Sequence, residues 1–209
     1  MKNSALNLFS FLLPAMLLLL LSSCSKKEAT PQESLVPEDE IPAPVMAQTF
    51  VIEAENPFHR EGHFELIEDE MASGKKALKV PGKMQCTIAG SNEPPLKPEG
   101  KLVYTWTLNQ PAKLKLWLRV KWAGSCANSF SVILPNGKKH TVTSSTYNAW
   151  IWLPAGPITE YSQGPCSITI LPREFDAAID QILLTNDDDY TPQNIETSNL
   201  KDQELFQKP

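Results

Sequence analysis

The stretch that decides the fold runs from Ala112 to Trp122 and reads AKLKLWLRVKW. Its even-numbered positions are all apolar, and four of its five odd-numbered positions carry lysine or arginine. This period-two alternation predicts a β-strand with one buried face and one outward face. Trp117 and Arg119 both fall on the outward face, so a large aromatic ring stands there beside a cation.

Shorter apolar or alternating stretches lie on both sides of this strand, separated by turn sequences such as Pro135-Asn136-Gly137. No segment holds a 3.6-residue apolar period over three turns, so no core helix is expected. Many short strands at regular spacing predict an all-β domain over residues 49–192, either an antiparallel sandwich or a barrel. The further predicted strands cover residues 49–55, 64–68, 77–80, 84–89, 102–108, 129–134, 140–143, 150–153, 167–171 and 178–185.

The segments that flank this domain differ from it in composition. Residues 24–48 contain four prolines and an acidic run but no aromatic residue, which predicts a semi-extended, disordered tether. Such a tether is either a spacer that lifts the domain off a membrane or disorder without a role. Residues 193–209 form a polar tail with irregularly spaced apolar side chains, and we expect this tail to fray.

Composition limits the classes of partner. The chain of 209 residues has a formal net charge of −5, with 21% charged and 42% hydrophobic residues, as expected for a soluble globular protein. A nucleic-acid-binding protein needs a basic surface to contact phosphates. Nucleic acid is therefore not an expected partner.

The first 23 residues have the organisation of a bacterial secretion signal, with Lys2 ahead of a mostly apolar run. The sequence Leu21-Ser22-Ser23-Cys24 resembles the lipobox of bacterial lipoproteins, in which small residues precede the cysteine. The resemblance implies that residues 1–23 are removed and that Cys24 carries a lipid anchor, in place of a retained membrane helix. Serine rather than aspartate follows Cys24, which in enterobacterial lipoproteins favours the outer membrane of the cell envelope.

Four local patterns follow one another along the domain. They are Ile52-Glu53-Ala54-Glu55, residues 116–120 with 128–132, Trp150-Ile151-Trp152, and residues 179–184 with Tyr190-Thr191-Pro192. In this order they resemble carbohydrate-binding modules of families 6 and 35, which are galactose-binding-like jelly rolls. The resemblance implies an antiparallel β-sandwich that binds a polysaccharide or other glycan without catalysing a reaction. The loop after Gly156 departs from the family pattern, because prolines replace its glycine-rich lead, and this leaves the ligand open.

Glu53 and Glu55 stand two positions apart on the first strand, so both carboxylates leave the same face. Two carboxylates this close need a cation or solvent between them. In the families resembled, such a pair joins an aspartate of the last strand around a structural calcium ion, and Asp180 occupies the matching position. The alternative is that the two glutamates are solvated and that Asp180 pairs with an arginine.

Trp117 and Arg119 form a first candidate sugar site. The face of an indole stacks on the C–H groups of a sugar, and a guanidinium binds hydroxyl groups or a uronate carboxylate. The alternative is that the next strand covers Trp117 and that its arginine stacks on the ring.

Trp150 is a second candidate. In the modules resembled, an aromatic residue near this position supports the sugar ring, and an asparagine of a terminal loop binds its hydroxyl groups. Asn186 matches that asparagine, and Tyr147 lies close to Trp150 in sequence. We expect Trp150 to be exposed at the end of a loop and Trp152 to be packed. The alternative places both tryptophans in the core.

Three cysteines remain after lipidation, so at most one disulfide can form within the chain, and an envelope location permits it. Cys126 and Cys166 both follow turns at strand entries, which makes them the expected pair and leaves Cys86 free. No two of the three have the spacing of zinc ligands.

A catalytic pattern is not evident, and we predict that the protein is not an enzyme. Glycoside hydrolysis needs two carboxylates across one cleft, and nothing in the sequence places Glu160 and Glu174 together. The leading prediction is a lipid-anchored envelope protein with a glycan-binding domain. The alternative is a non-sugar module that docks a protein partner within an envelope assembly.

Overall fold

The computed structural model describes residues 47–86 and 96–200. The predicted signal, Cys24, the tether up to residue 46 and tail residues 201–209 lie outside the described residues. Within the described ranges, no helix is long and apolar enough to cross a membrane. The strands are β1 Thr49–Glu53, β2 His59–Gly62, β3 Glu65–Glu68, β4 Lys76–Lys79, β5 Gly100–Leu108, β6 Ala112–Lys121, β7 Ser129–Ile133, β8 Lys139–Thr143, β9 Trp150–Pro154, β10 Thr159–Tyr161, β11 Gly164–Pro172 and β12 Ala178–Thr185, with a short 3-10 turn at Ser73–Lys75.

Two antiparallel sheets make up the domain. In the first sheet β6 and β12 pair along almost their whole length, with β1 and β4 on the far edge of β12 and β3 beyond β4. The free side of β6 pairs with β9 and β10. The second sheet has the order β2-β5-β11-β7-β8. The predicted antiparallel β-sandwich is therefore confirmed.

The core lies between the two sheets and confirms the alternating pattern of β6. Its inward-facing side chains are at most 1% exposed, and the second sheet faces them with fully buried aromatic rings. Because each buried apolar side chain contributes about 1.5–3 kcal/mol, this seam alone accounts for a large share of the stability. The inward-facing residues of β6 are Leu114, Leu116, Leu118 and Val120, and the facing rings are Tyr104, Trp106 and Phe130.

Two short strands carry no sequence signal. β2 is polar and exposed at each of its four positions at the edge of the second sheet, so no apolar alternation marks it. β10 has only three residues and is held by its pairing with β6. Conversely, residues 84–86 of the strand predicted at 84–89 are not in a strand, and the rest of that stretch lies outside the described part.

The described part of the tail is bound to the free edge of β1 and to Gln181 of β12, which differs from the expected fraying. Asn199 Oδ1 accepts a hydrogen bond from Val51 N at 2.8 Å, and Ser198 Oγ donates to Val51 O at 3.1 Å. Glu196 N donates to Gln181 Oε1 at 3.0 Å, and the Gln181 amide donates back to Glu196 O at 2.8 Å. Residues 196–199 are therefore tied to β1 and β12.

Candidate functional site

The sandwich has two ends, and we call one of them the pocket end because a small pocket, described below, lies there. Residues 122–128, 144–149 and 173–177 connect strands at the pocket end. β9 begins there with the half-buried Trp150, which pairs with Lys121 at the end of β6. Tyr147 lies on the 144–149 connection and is 36% exposed. Two of the predicted sugar-binding residues are thus at the same end of the fold.

Asn186 lies at the opposite end. It follows the last residue of β12, whereas the first residue of that strand, Ala178, pairs with Lys121 beside Trp150. The length of β12 separates the two side chains by about 23 Å, at roughly 3.3 Å for each residue. Asn186 Oδ1 instead accepts a hydrogen bond from Gln48 N at 2.6 Å. The prediction that Trp150 and Asn186 share one sugar site is wrong, because the strand that links them runs the full length of the sandwich.

Two cations hold the ring of Trp150. The guanidinium carbon of Arg119 lies 5.5 Å from the ring centroid, and Lys121 Nζ lies 5.7 Å from it. Cations within about 6 Å of an indole face are attracted by its quadrupole. The ring is therefore fixed in orientation while part of its surface stays open to solvent.

A pocket of about 220 Å³ lies beside Lys121 at the pocket end. Two ion pairs contribute to its lining: Lys121 Nζ lies 2.7 Å from Asp69 Oδ2, and Lys79 pairs with Asp176. Asn148 also lines it, with a left-handed backbone φ of 59°. The volume is below that of pockets for drug-sized ligands, so it suits a single ring or a comparably small group.

The chemistry around this pocket suits a polyhydroxylated ring. Carboxylates accept hydrogen bonds from hydroxyl groups, and ammonium and amide groups donate to them. The exposed ring of Tyr147, which directly precedes Asn148, and the partly open ring of Trp150 supply apolar surface nearby. Polar groups in a small pocket beside aromatic rings are what a sugar with polar edges and apolar faces requires.

Trp117 is closed to any ligand. It is 8% exposed and packs in a small cluster with Val51, Leu183, Trp152 and Tyr190 on the outer face of the first sheet. The Trp152 indole donates a hydrogen bond to the backbone oxygen of Asn194 at 2.9 Å, which joins this cluster to the tail. Lys115 Nζ lies 4.6 Å from the centroid of the Trp117 ring. The alternative of a covered tryptophan is therefore correct, although the cation over its ring is Lys115 rather than Arg119.

Arg119 is also buried, at 5% exposure, and serves the structure. Its guanidinium forms an ion pair with Asp180, which is 0% exposed, and donates a hydrogen bond to Met71 O at 3.2 Å. A buried carboxylate needs such a partner, because an unpaired charge in the interior is costly. The prediction that Arg119 contacts a sugar is wrong for this reason.

Asp180 is committed to other groups, so the three-carboxylate calcium set does not form. Besides the ion pair with Arg119, Asp180 Oδ1 accepts a hydrogen bond from Ser73 N at 2.9 Å. Among the described residues, no group of three or more histidine, cysteine or acidic side chains is placed to hold a metal ion. The structure therefore agrees with the alternative, in which Asp180 pairs with an arginine.

The two glutamates of β1 and its extension still fit a cation. Glu53 Oε1 accepts hydrogen bonds from Ser73 Oγ at 2.9 Å and Gln181 Nε2 at 3.1 Å, but its Oε2 is buried without a partner. Glu55 Oε2 is likewise buried and unpaired. Burial, with repulsion from Glu53 and Asp180, raises the pKa of Glu55 to about 7, and burial also raises the pKa of Glu53. Two unpaired carboxylate oxygens suit a hard cation such as calcium.

The disulfide differs from the predicted one. Cys86 is bonded to Cys126, and Cys166 is a free, buried thiol whose Sγ lies 3.4 Å from Ser162 O. Cys166 shares its face of β11 with Ile168 and Ile170, which are in the core. That alternation was the sequence signal against Cys166, because an inward side chain of β11 cannot meet a loop cysteine.

The two carboxylates considered for hydrolysis lie at opposite ends of the sandwich. Glu160 is on β10, which pairs with the first residues of β6, whereas Glu174 lies two residues after the end of β11 at the pocket end. Glycosidase carboxylates stand within about 10 Å of each other. This pair cannot act on one glycosidic bond.

Comparisons with known proteins place this fold. The GH26-CBM35 β-(1,4)-mannanase of Podospora anserina is similar, with a TM-score of 0.51 and 17% identity over 71% of this chain; the match spans only 30% of the mannanase. The C-terminal CBM6 of a Zobellia galactanivorans laminarinase matches with a TM-score of 0.45 and 16% identity. The match covers 66% of this chain and 99% of the CBM6. The CBM35 of Cellvibrio japonicus Abf62 matches with a TM-score of 0.48 and 10% identity. The match covers 66% of this chain and 92% of the CBM35.

No protein-family model matches the sequence, and no curated protein matches it. At these low identities the structural likeness concerns the fold alone. The described antiparallel β-sandwich is therefore similar in fold to a part of the GH26-CBM35 mannanase.

Proposed function

We propose that this chain is a lipid-anchored protein of the bacterial cell envelope whose β-sandwich binds a glycan and catalyses no reaction. The observation that carries the proposal is the pocket end. There Trp150 and Tyr147 present aromatic surface near a small pocket lined by two ion pairs. Aromatic faces stack on sugar C–H groups, and charged and amide groups bind hydroxyl groups.

The absence of catalysis is supported by the placement of the acidic residues. Glu160 and Glu174 are at opposite ends of the fold. Asp69 and Asp176, which line the small pocket, are each paired with a lysine. Acid catalysis of glycoside cleavage requires a protonated carboxyl with a raised pKa, whereas partial burial of Asp69 is outweighed by hydrogen bonds from Lys121 and other groups, which lower its pKa.

Calcium has a structural part in this proposal. Glu53 and Glu55 would supply the carboxylate oxygens, and the ion would neutralise two charges that are otherwise partly buried together. The ion would stabilise the start of the first sheet rather than contact the glycan.

The lipid anchor rests on the lipobox at Cys24. Replacing this residue (Cys24→Ser) should abolish incorporation of labelled palmitate. Palmitate incorporation that persists in the variant would overturn the anchor.

Retention on immobilised polysaccharides tests glycan binding. We would use the full chain carrying Cys24→Ser on a panel of neutral glucans, mannans and galactans and of acidic polysaccharides, in calcium and in chelator. We expect retention on at least one polysaccharide and its loss in Trp150→Ala. No retention on the whole panel in either buffer would overturn the proposal and favour the protein-docking alternative.

A further inference from the structure

A second and larger pocket is lined in part by the connection between β11 and β12. Its volume is about 430 Å³, within the range of pockets that hold small ligands. Glu174 and Phe175 line it, while the next residue, Asp176, lines the small pocket near Trp150. The linings of the two pockets therefore share one short segment of the chain.

The lining of the larger pocket is cationic. Lys97, Lys139 and Arg173 stand against one carboxylate, Glu174, a local formal charge of 3 − 1 = +2 on a chain whose net charge is −5. In the part of the chain that the structure describes, neither Lys97 nor Lys139 has an acidic partner. A cleft lined by one sign of charge attracts ligands of the other sign.

The single carboxylate is tied back to the protein. Glu174 Oε2 accepts hydrogen bonds from Asn128 N at 2.7 Å and from Ser129 Oγ at 2.9 Å. Arg173 is exposed and uses one N–H group to donate to Ser129 Oγ at 3.0 Å. A guanidinium has five N–H donors in a planar fork, so Arg173 retains donors for a carboxylate or sulfate.

Apolar surface and a covalent link complete this pocket. Leu96, which is 73% exposed, and the half-buried Phe175 line it beside the cations. Cys126 also lines it, and its disulfide to Cys86 fixes the segment that carries the neighbouring Gln85 of the pocket wall. Cations beside apolar side chains suit a ring that bears a charged group better than a free inorganic anion.

We propose that this second pocket binds a carboxylate or sulfate group carried by the glycan, so that the ligand is an acidic polysaccharide. The inference rests on the proposed glycan binding and names its chemical class. Uronate and sulfate share the oxyanion chemistry that Lys97, Lys139 and Arg173 recognise.

The test is affinity electrophoresis of the full chain carrying Cys24→Ser against polygalacturonate, dextran sulfate and neutral dextran and galactomannan. The double variant Lys97→Gln/Arg173→Gln removes two pocket cations. The matched control Lys113→Gln/Lys138→Gln removes two exposed lysines outside the pocket. We expect the pocket variant to bind the preferred acidic polysaccharide at least about tenfold more weakly, and the control to bind like the parent. The two acidic polymers distinguish uronate from sulfate.

A second measurement uses the disulfide. The variant Cys86→Ser/Cys126→Ser should weaken acidic binding and leave Trp150-dependent binding of any neutral glycan in place, because only the second pocket loses its anchored wall. Equal weakening in the pocket variant and its control, or tighter binding to neutral than to acidic polymers, would overturn the inference while the proposed function stands. If the chain binds none of the polymers, both this inference and the proposed glycan binding are overturned.

Discussion

The outer face of the first sheet and the pocket end carry the same kinds of residue but differ in what covers them. On the outer face, Trp117 and Arg119 are buried, one beneath a cluster that includes Trp152 and Tyr190, the other against Asp180. At the pocket end Trp150 also lies beside cations, yet part of its surface remains open.

The difference shows that a tryptophan beside a cation does not by itself mark a sugar site. The backbone oxygen of Asn194 accepts a hydrogen bond from the Trp152 indole, and Asp180 pairs with Arg119. Both Asn194 and Asp180 are far along the chain from β6. Distant segments therefore decide which aromatic residue is structural and which is available. Variants on the outer face should change stability most, and variants at the pocket end should change ligand binding most.

The largest expected effect is on the outer-face ion pair. Arg119→Met leaves Asp180 buried without its partner, and we expect the free energy of unfolding to fall by about 3–5 kcal/mol in urea denaturation. Arg60→Met, which alters an exposed arginine of β2, should change it by less than about 0.5 kcal/mol. Equal, small effects in both variants would show that the ion pair has no structural role.

Calcium should have the next largest effect. At a hundredfold excess over its dissociation constant, a bound ion should stabilise the domain by about 2.7 kcal/mol. Glu55→Gln should remove this gain, and Glu160→Gln, at an exposed glutamate on β10, should keep it. A gain that survives Glu55→Gln would place the ion elsewhere.

When a chelator removes calcium, the raised pKa of Glu55 predicts that the stability of the domain depends on pH. The folded pKa of Glu55, about 7, lies above its ordinary value of 4.5, so the folded state binds this proton more tightly than the unfolded state. Its contribution to stability is therefore present below pH 4.5 and is lost as pH rises to about 7. Thermal unfolding of wild type between these pH values should show the decline, and Glu55→Gln should flatten it.

The smallest expected effect concerns the tail. Asn199→Ala removes the side-chain hydrogen bonds to Val51 N and Thr49 O, each worth about 1 kcal/mol. The free energy of unfolding should fall by about 1 kcal/mol for each lost hydrogen bond, while glycan binding at the pocket end stays unchanged. A loss of binding without a loss of stability would mean that the outer face takes part in recognition.

The fold could be predicted because its signal is local. The strict alternation of β6 buries one face of a central strand, and tertiary context has little freedom to override a pattern of that length. The short edge strand β2 escaped prediction because it buries nothing on either face. Its position is set by pairing with β5, which no property of its own sequence encodes.

The candidate site could be predicted only in part, because it depends on contacts between distant segments. Tyr147 lies on the loop that leads into β9, and Trp150 is the first residue of β9, so the two were found together. Asn186 was assigned to them although β12 runs the length of the sandwich between them. The Cys86–Cys126 bond joins two irregular segments whose proximity follows from the packing of loops, not from any periodicity.

The central claim is that a glycan binds at the pocket end, and one pair of variants tests it directly. Trp150→Ala and Asn186→Ala alter residues at the two ends of the first sheet, and each affinity would be corrected for the folded fraction. On a polysaccharide that the wild type binds, we expect Trp150→Ala to bind at least about tenfold more weakly, or about 1.4 kcal/mol, and Asn186→Ala to stay within about twofold. Wild-type affinity in Trp150→Ala, or an equal loss in Asn186→Ala, would contradict the claim.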